Sequence, residues 1–216
     1  DKRGSTYYGS EVEAVQYIDK PLSDAWACNS CGQWIREPDP EVCTNCESVD
    51  LDKRERKIWG WLGVQRYLST SDFGISVLRN GRKILRWDKS FFVWTDPDTG
   101  STENEYPVEM PANRGRLVGE IHIDHMRPTY QKNDFDRSTR DWSTLRKVVR
   151  GDTELKPKSA KRRAINESNW SPLSKLFSTF RRNDPGAKCL TIGNGEKATL
   201  ELSADWGKKF HQGLDE

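Results

Sequence analysis

Two pairs of cysteines near the start of the chain constrain its fold more than any other feature. Cys28 and Cys31 form one C-x-x-C pair, Cys43 and Cys46 form a second, and 11 residues separate the pairs. Two such pairs can place four thiolates tetrahedrally around Zn²⁺, with the spacer forming a returning turn or hairpin. Two disulfides or a redox pair fit less well, because nothing suggests secretion and both pairs lie in one compact unit. We therefore expect a structural Zn²⁺ site, which stabilises a segment too short to fold alone and has no open position for catalysis.

The residues around the first pair leave the role of this finger open. Trp26 lies two residues before Cys28, an arrangement that resembles small zinc fingers of the Ran-binding-protein type. Trp34 lies three residues after Cys31, an arrangement that is in part similar to the CW finger. Many structural zinc modules only brace a fold. The alternative is recognition of nucleic acid or protein, in which Gln33, Trp34 and Arg36 would provide hydrogen bonds and stacking.

The composition indicates a globular chain with a highly charged surface. Its 216 residues suffice for one large or two small domains, and hydrophobic and charged residues make up 34% and 31% of them. The formal net charge of +2 gives no overall attraction to nucleic acid or to a membrane. No apolar stretch approaches the roughly 20 residues that span a bilayer. Because no secretory signal is visible, we expect an intracellular location, cytoplasmic or nuclear. The chain begins at Asp1 and not at a methionine, so it is either processed or, as we expect, an excised piece of a longer protein.

Two basic runs depart from this charge balance, at residues 53–57 and 156–163. A solvated face is the commoner meaning of such runs, and contact with phosphate or an acidic protein surface is the alternative. The candidate nucleic-acid contacts in the second run are Lys156, Lys158, Lys161, Arg162 and Arg163.

Segment 117–135 predicts a strand that leads into a short basic loop. Ile121 and Ile123 fall on one face of the strand with polar residues opposite, the pattern of a half-buried strand. Pro128 is expected to end it, because proline has no N–H to donate to a sheet. Gln131 and Lys132 lie in the loop, where the lysine can donate to a phosphate and the glutamine to the same oxygens or a water. A solvated surface lysine is the alternative for Lys132.

Helices are predicted after this loop. Asp136 or Ser138 is expected to cap the first of them, and its apolar side comprises Trp142, Leu145, Val148 and Val149. We expect Gly151 to end this helix. A basic helix interrupted by Pro157 is predicted over residues 153–165. An amphipathic helix with a proline in its first turn is predicted over residues 172–180.

The remaining patterns predict strands and loops. Residues 11–18 form a strand, and residues 57–67 form a central strand because they are apolar on both faces in places. Residues 73–78 and 83–87 form a hairpin through Asn80 and Gly81, since both turn positions need positive φ. A third strand is expected at 90–95, a surface loop at 96–113 and a hairpin at 189–202, where the lone Cys189 is interpreted as a buried hydrophobic residue.

Two of these stretches resemble one protein family. The string G-E-I-H-I-D-H-M-R-P-T-Y-Q-K-N-D-F, residues 119–135, looks like the end of the transducer domain in gyrase B/Hsp/MutL-type (GHKL) ATPases, most of all the MORC branch. Residues 73–84 are similar to the hydrophobic strand, Arg-Asn turn and Arg-x-Ile of the same domain. The two matches occur in family order, and the span that they bound, residues 73–135, covers about a third of the chain.

The resemblance implies a role for the loop. In the family, a lysine at this place reaches the terminal phosphate of ATP in a neighbouring domain, so Lys132 would contact the nucleotide and Gln131 would assist it. ATP and Mg²⁺ would be held by a preceding ATPase domain, because the nucleotide-pocket motifs of the family are not found in this sequence. The MORC likeness also suggests a homodimer and contact with DNA. In this interpretation the chain is part of an ATPase and transmits the nucleotide state.

The expected fold class is α+β, with a mixed sheet, helices packed on one face as in transducer domains, and a small inserted zinc finger. The expected divisions are residues 1–20 for the first strand region, 21–52 for the finger, 53–150 for the sheet and helix, and 151–216 for a helical extension.

The competing hypothesis is a non-enzymatic zinc-finger adaptor that binds nucleic acid or protein through the basic runs. His122 and His125 are expected to face opposite sides of one strand, which argues against a shared ligand site.

Overall fold

The computed structural model describes residues 5–7, 10–12, 15–106, 114–156, 166–179, 209, 212 and 214. The strands in chain order are β1 (Ser5–Tyr7), β2 (Ser10–Val12), β3 (Val15–Pro21), β4 (Ala25–Cys28), β5 (Trp34–Ile35), β6 (Leu51–Arg54), β7 (Lys57–Ser69), β8 (Gly74–Arg79), β9 (Arg82–Asp88), β10 (Val93–Thr95), β11 (Thr102–Asn104) and β12 (Gly115–His122). The helices are a 3-10 turn at Ser90–Phe92, α1 (Arg140–Arg150) and α2 (Pro172–Thr179).

A five-stranded mixed sheet forms the body, in the order β3-β7-β12-β8-β9. Every neighbouring pair is antiparallel except β12 and β8, which are parallel. A parallel pair needs a long crossover, and the chain between β8 and β12 provides it with β9, the 3-10 turn and the β10–β11 hairpin. The predicted α+β class with a mixed sheet is confirmed.

The pairing of β7 with a strand on each side depends on a glycine. Gly60 lies in β7 opposite Ile18 of β3 and Ile121 of β12, at φ 146°. A Cβ at this residue would come within 2.0 Å of the Glu120 carbonyl oxygen, so only glycine allows the strands to approach so closely.

One core joins the sheet to both helices. Ile121 and Ile123 are fully buried, in a cluster with Trp142 and Leu145 of α1 and Leu173 of α2. Helix α2 packs against β3 and β7, and α1 packs against α2 and the 3-10 turn. On the opposite face of the sheet, Tyr17 and Trp59 are exposed, whereas Ser76 and Leu78 are buried. None of the described helices has the length and apolar character needed to cross a membrane.

The segment that carries the four cysteines, residues 25–54 (the cysteine module), is a separate three-stranded sheet in the order β5-β4-β6. It connects β3 to β7, which are themselves paired, and so lies at one end of the main sheet.

Three local predictions agree with the structure. Asn80 and Gly81 both have positive φ, 47° and 74°, in the turn between β8 and β9. Helix α1 buries Trp142, Leu145 and Val149, with Val148 partly buried, and ends at Gly151. Helix α2 occupies Pro172–Thr179, inside the predicted segment 172–180.

The cap of α1 and the end of β12 were predicted incorrectly. The cap is Thr139, whose hydroxyl accepts from the Trp142 N–H, while Asp136 accepts from Ser138 in the preceding turn. Strand β12 ends at His122, six residues before Pro128. His122 forms the last pair with the neighbouring strand β8, opposite Leu78. Pro128 instead forms a bridge with Phe135.

The predictions for residues 90–113 and beyond also differ from the structure. The strand expected at 90–95 is a 3-10 turn followed by β10, which pairs with β11 and not with the β8–β9 hairpin. Part of the predicted surface loop 96–113 is buried, because Glu105 and Tyr106 pack inside the body. Residues 153–156 are not helical, and both the rest of the predicted basic helix and the hairpin at 189–202 lie outside the described residues.

Candidate functional site

The two cysteine pairs form equivalent turns. In the first, the Gly32 N–H donates to the Cys28 carbonyl at 2.9 Å and the Cys28 N–H donates to the Gln33 carbonyl at 2.9 Å. In the second, Glu47 and Ser48 make the corresponding bonds with Cys43, at 2.9 and 2.8 Å. Gly32 and Glu47 occupy the same place in their turns and both have left-handed backbone, with φ of 71° and 59°. The repeated turns aim four sulfurs at one point.

The four Sγ atoms lie within 4.8 Å of one another, so one metal ion could contact them all. Two pairs are closest, Cys28 with Cys46 and Cys31 with Cys43, each at 3.6 Å. These separations exclude disulfides, whose S–S bond is about 2.05 Å. Cys28 and Cys43 are buried, whereas Cys31 and Cys46 reach the surface.

The thiols affect one another's ionisation. The N–H of Gln33 stabilises the Cys31 thiolate and lowers the pKa of Cys31 to about 6. The Cys46 sulfur accepts a hydrogen bond from the Ser48 N–H, which lowers its pKa. The neighbouring Cys31 sulfur and the loss of hydration have the larger effect and raise the pKa of Cys46 to about 12. Thiolates so close together repel each other, and a bound cation relieves this repulsion. The cluster is therefore suited to a metal ion.

The first cysteine turn contacts the main body of the fold. Arg36 pairs with Asp141 in the first turn of α1, and the ring of Trp34 lies edge-on to that of His125, with centroids 6.1 Å apart. Trp34 is half-buried, so these two candidate nucleic-acid contacts take part in docking the module. On the other side, Arg127 donates to the Gln33 side chain at 3.3 Å and Arg79 to the Gly32 carbonyl at 3.4 Å.

The two histidines occupy different environments. His122 stacks on Trp59, with ring centroids 3.8 Å apart. His125 is buried, and its Nε2 lies 3.7 Å from an Asp141 oxygen without a hydrogen bond to any described residue. Burial lowers the pKa of His125 to about 4, although the Asp141 carboxylate opposes this shift. The imidazole is therefore neutral at pH 7.

The loop that carries Lys132 is closed at its base. Pro128 and Phe135 form a bridge, and the Thr129 N–H donates to the Asp134 carbonyl at 2.8 Å. Within the loop, the Lys132 N–H donates to the Thr129 carbonyl at 2.8 Å, and Lys132 itself has left-handed backbone with φ 56°. Because Phe135 is buried in the core, the loop is anchored while its tip is exposed.

The two loop candidates both face solvent. Lys132 forms no ion pair with any acidic side chain in the described part of the chain. Gln131 accepts a hydrogen bond from the Asn133 amide at 3.1 Å, which leaves its own NH₂ group available to an acceptor.

A cleft of about 1270 Å³ lies between this loop, the first cysteine turn and the start of α1. Among the described residues that line it, the carboxylates are Asp136 and Asp141, and the cations are Arg36, Arg56, Arg79, Arg127, Lys132 and Arg137. The cleft is therefore positively charged.

Among the described residues of the basic runs, Arg56 alone lines this cleft. Lys156 pairs with Glu103 at 2.8 Å, and Lys158, Lys161, Arg162 and Arg163 lie outside the described residues. In the first run, Lys57 pairs with Asp19 at 3.2 Å and Arg56 donates to Ser23.

Sequence reasoning missed Asp141, Arg79 and Arg127 as parts of the site. Arg79 and Arg127 lie inside the two family-like stretches, but neither was given a role there, and Asp141 is a single charged residue of the predicted helix. All three are far in sequence from the first cysteine turn, so no local pattern showed that they lie beside it.

The protein-family models, the curated proteins and the solved structures yielded no match to this chain. The cluster, the loop and the cleft are therefore interpreted from their chemistry.

Proposed function

We propose that this chain is the nucleotide-sensing transducer segment of a larger ATPase. Lys132 contacts the terminal phosphate of ATP held by a preceding domain, and the sheet and α1 respond to that contact. The observation that carries the proposal is the state of Lys132, an exposed ammonium with no acidic partner among the described residues, in an anchored loop.

The loop geometry supports a preformed phosphate contact. A left-handed φ is unusual for a residue other than glycine, and such strain concentrates at functional sites. Here the strained residue is the one that the family resemblance assigns to phosphate. The arginines of the adjoining cleft extend the positive potential around it, which favours the approach of an anion.

The base of the loop provides a route for transmission. Phe135 belongs to the same core as Ile123, just beyond β12, and Trp142 of α1. A force on the loop is therefore expected to reach both elements. One charged hydrogen bond contributes about 1.5 to 3 kcal/mol, enough to bias two conformations more than about tenfold.

The metal proposed for the cysteine cluster is Zn²⁺, in a structural role. With Zn–S bonds of about 2.3 Å, the edges of a tetrahedron are about 3.8 Å. The closest Sγ pairs, at 3.6 Å, approach this value. Four thiolates leave no position for a reacting water, so the metal braces the module next to the loop.

ATP turnover by the longer protein tests the proposal. Lys132→Asn removes the ammonium, and asparagine tolerates a left-handed backbone better than alanine does. Turnover is expected to fall at least about tenfold with unchanged zinc content. Lys147→Asn, at an exposed position of α1, is the control and should leave turnover intact. Normal turnover in Lys132→Asn would reject the sensor role.

A further inference from the structure

The cleft between the first cysteine turn and the Lys132 loop has room for a segment of a chain. Its volume is about 1270 Å³, above the range of about 300 to 1000 Å³ that is typical of pockets for one small molecule.

The charges in the cleft favour an anionic chain. Arg36 and Arg56 pair with Asp141, and Arg137 pairs with Asp88 and Asp134. The other three cations have no carboxylate partner among the described residues: Arg79 donates to carbonyl oxygens, Arg127 to a glutamine amide, and Lys132 faces solvent. Guanidinium groups suit phosphate oxygens because they donate in a fixed fork.

A buried histidine in the wall also lacks a partner. His125 is 6% exposed and lines the cleft, and its Nε2 has no hydrogen bond with any described residue. A buried polar atom without a partner costs free energy. A ligand or a bridging water in the cleft would satisfy it.

An exposed aromatic ring adds a second kind of contact. Tyr130 lines the cleft and is 101% exposed, so both faces of its ring are free. Cationic grooves with exposed aromatic rings are how proteins bind single-stranded nucleic acids, because the bases stack while the phosphates follow the charges. An acidic peptide would use the arginines but gives this ring no matching partner.

We propose that the cleft binds single-stranded nucleic acid, with phosphates on Arg79, Arg127 and Lys132 and an unpaired base on Tyr130. The inference goes beyond the nucleotide-sensing role and does not depend on it, but Lys132 would hold only one phosphate at a time, so the nucleic acid is proposed to bind when no ATP is engaged. A duplex is disfavoured because its bases are paired and cannot stack on the ring.

Fluorescence anisotropy of a labelled oligodeoxythymidine with the zinc-loaded chain, without any nucleoside triphosphate, tests this proposal. Three phosphate contacts predict that log K falls with log salt with a slope of about −2. Arg127→Gln should weaken binding and reduce the slope by about 0.7. Tyr130→Ala should weaken binding about tenfold with little change in slope, because stacking releases no counterions.

Matched controls come from the same chain. Tyr17 is 69% exposed on the open face of the sheet and Arg86 is exposed on β9. Tyr17→Ala and Arg86→Gln should bind like the unaltered chain, and a duplex should bind more weakly than the single strand. The proposal is overturned by a lack of binding, by equal losses in the controls, or by equal affinity for the duplex. Tighter binding of a glutamate-rich peptide would also overturn it, by assigning the cleft to an acidic protein. None of these outcomes bears on Lys132 as an ATP contact, because the assay contains no ATP.

Discussion

Arg36 of the cysteine module forms an ion pair with Asp141 in the first turn of α1. Asp141 also lies 3.8 Å from Arg56 and 3.7 Å from His125, so one carboxylate joins the module to the body of the fold. This arrangement places the cysteine cluster beside the Lys132 loop and accounts for the cleft between them.

Asp141→Ala should destabilise the fold more than Arg36→Ala. The Arg36 side chain is 45% exposed, and its loss is expected to cost about 1 kcal/mol or less. Loss of Asp141 leaves two guanidinium groups without their carboxylate, that of Arg36 and that of the 11% exposed Arg56, at a cost of about 1 to 3 kcal/mol. Urea unfolding measures the free energy of unfolding of both variants. The control is Asp152→Ala, which removes the carboxylate of the exposed Lys147–Asp152 pair. Equal values for the two variants would contradict a central role for Asp141.

Glu105→Gln should be among the most destabilising single changes in the body. Glu105 and Arg150 form a 2.6 Å ion pair with side chains 0% and 2% exposed, and Glu105 also accepts from the Leu155 N–H. Removing one charge of a buried pair costs about 3 to 5 kcal/mol. Glu103→Gln, in an exposed pair two residues earlier, is the matched control and should change stability by less than about 1 kcal/mol. Similar melting temperatures for the two variants would contradict the buried pair.

Protonation of His125 should reduce stability in mild acid. Its pKa is lowered to about 4 in the fold, against about 6.5 for an unfolded histidine. Between these two pH values the unfolded state binds the extra proton and the folded state does not. The stability associated with neutral His125 is therefore complete above about pH 6.5 and is lost as the pH falls towards about 4. The full effect is about 3 kcal/mol. The free energy of unfolding is measured at pH 7 and at pH 5 for the unaltered chain and for His125→Gln. The difference between the two proteins removes the pH dependence of the titrating groups that both contain. Parallel curves would contradict the buried neutral imidazole.

Removal of the metal should loosen the module before it loosens the main sheet. The turn hydrogen bonds of Cys28 and Cys43 depend on sulfurs held at one point, whereas β12 is paired on both sides. Hydrogen exchange after chelation is expected to rise at these turns and in the Lys132 loop, while Ile121 stays protected. Cys43→Ser should reproduce this pattern. Unchanged exchange in the Lys132 loop would show that the module does not brace it.

Local patterns predicted the parts of the fold that depend on neighbouring residues. The cysteine spacing, the Asn80-Gly81 turn and the alternation around Ile121 each define their structure within a few positions. The cap of α1 was missed because Asp136, Ser138 and Thr139 are all suitable capping residues in one short stretch. In the structure, the Thr139 hydroxyl is the one that accepts from the Trp142 N–H.

Contacts between distant segments could not be predicted. Arg36 and Asp141 are 105 residues apart, and Glu105 and Arg150 are 45 apart. Glu105 lies in an acidic, turn-rich stretch that is typical of a surface loop, and its burial follows from Arg150, a residue of another element. The phosphate role of Lys132 remains a proposal for the same reason, because its expected partner lies in another domain.

Chemical labelling of lysines tests the central proposal most directly. In the longer protein, a water-soluble acylating reagent and mass spectrometry report the exposure of each ammonium group, with and without bound nucleotide. A non-hydrolysable ATP analogue should protect Lys132 strongly and ADP should not, while Lys147 is labelled equally in all states. Equal labelling of Lys132 with the analogue, with ADP and without nucleotide would contradict its contact with the terminal phosphate.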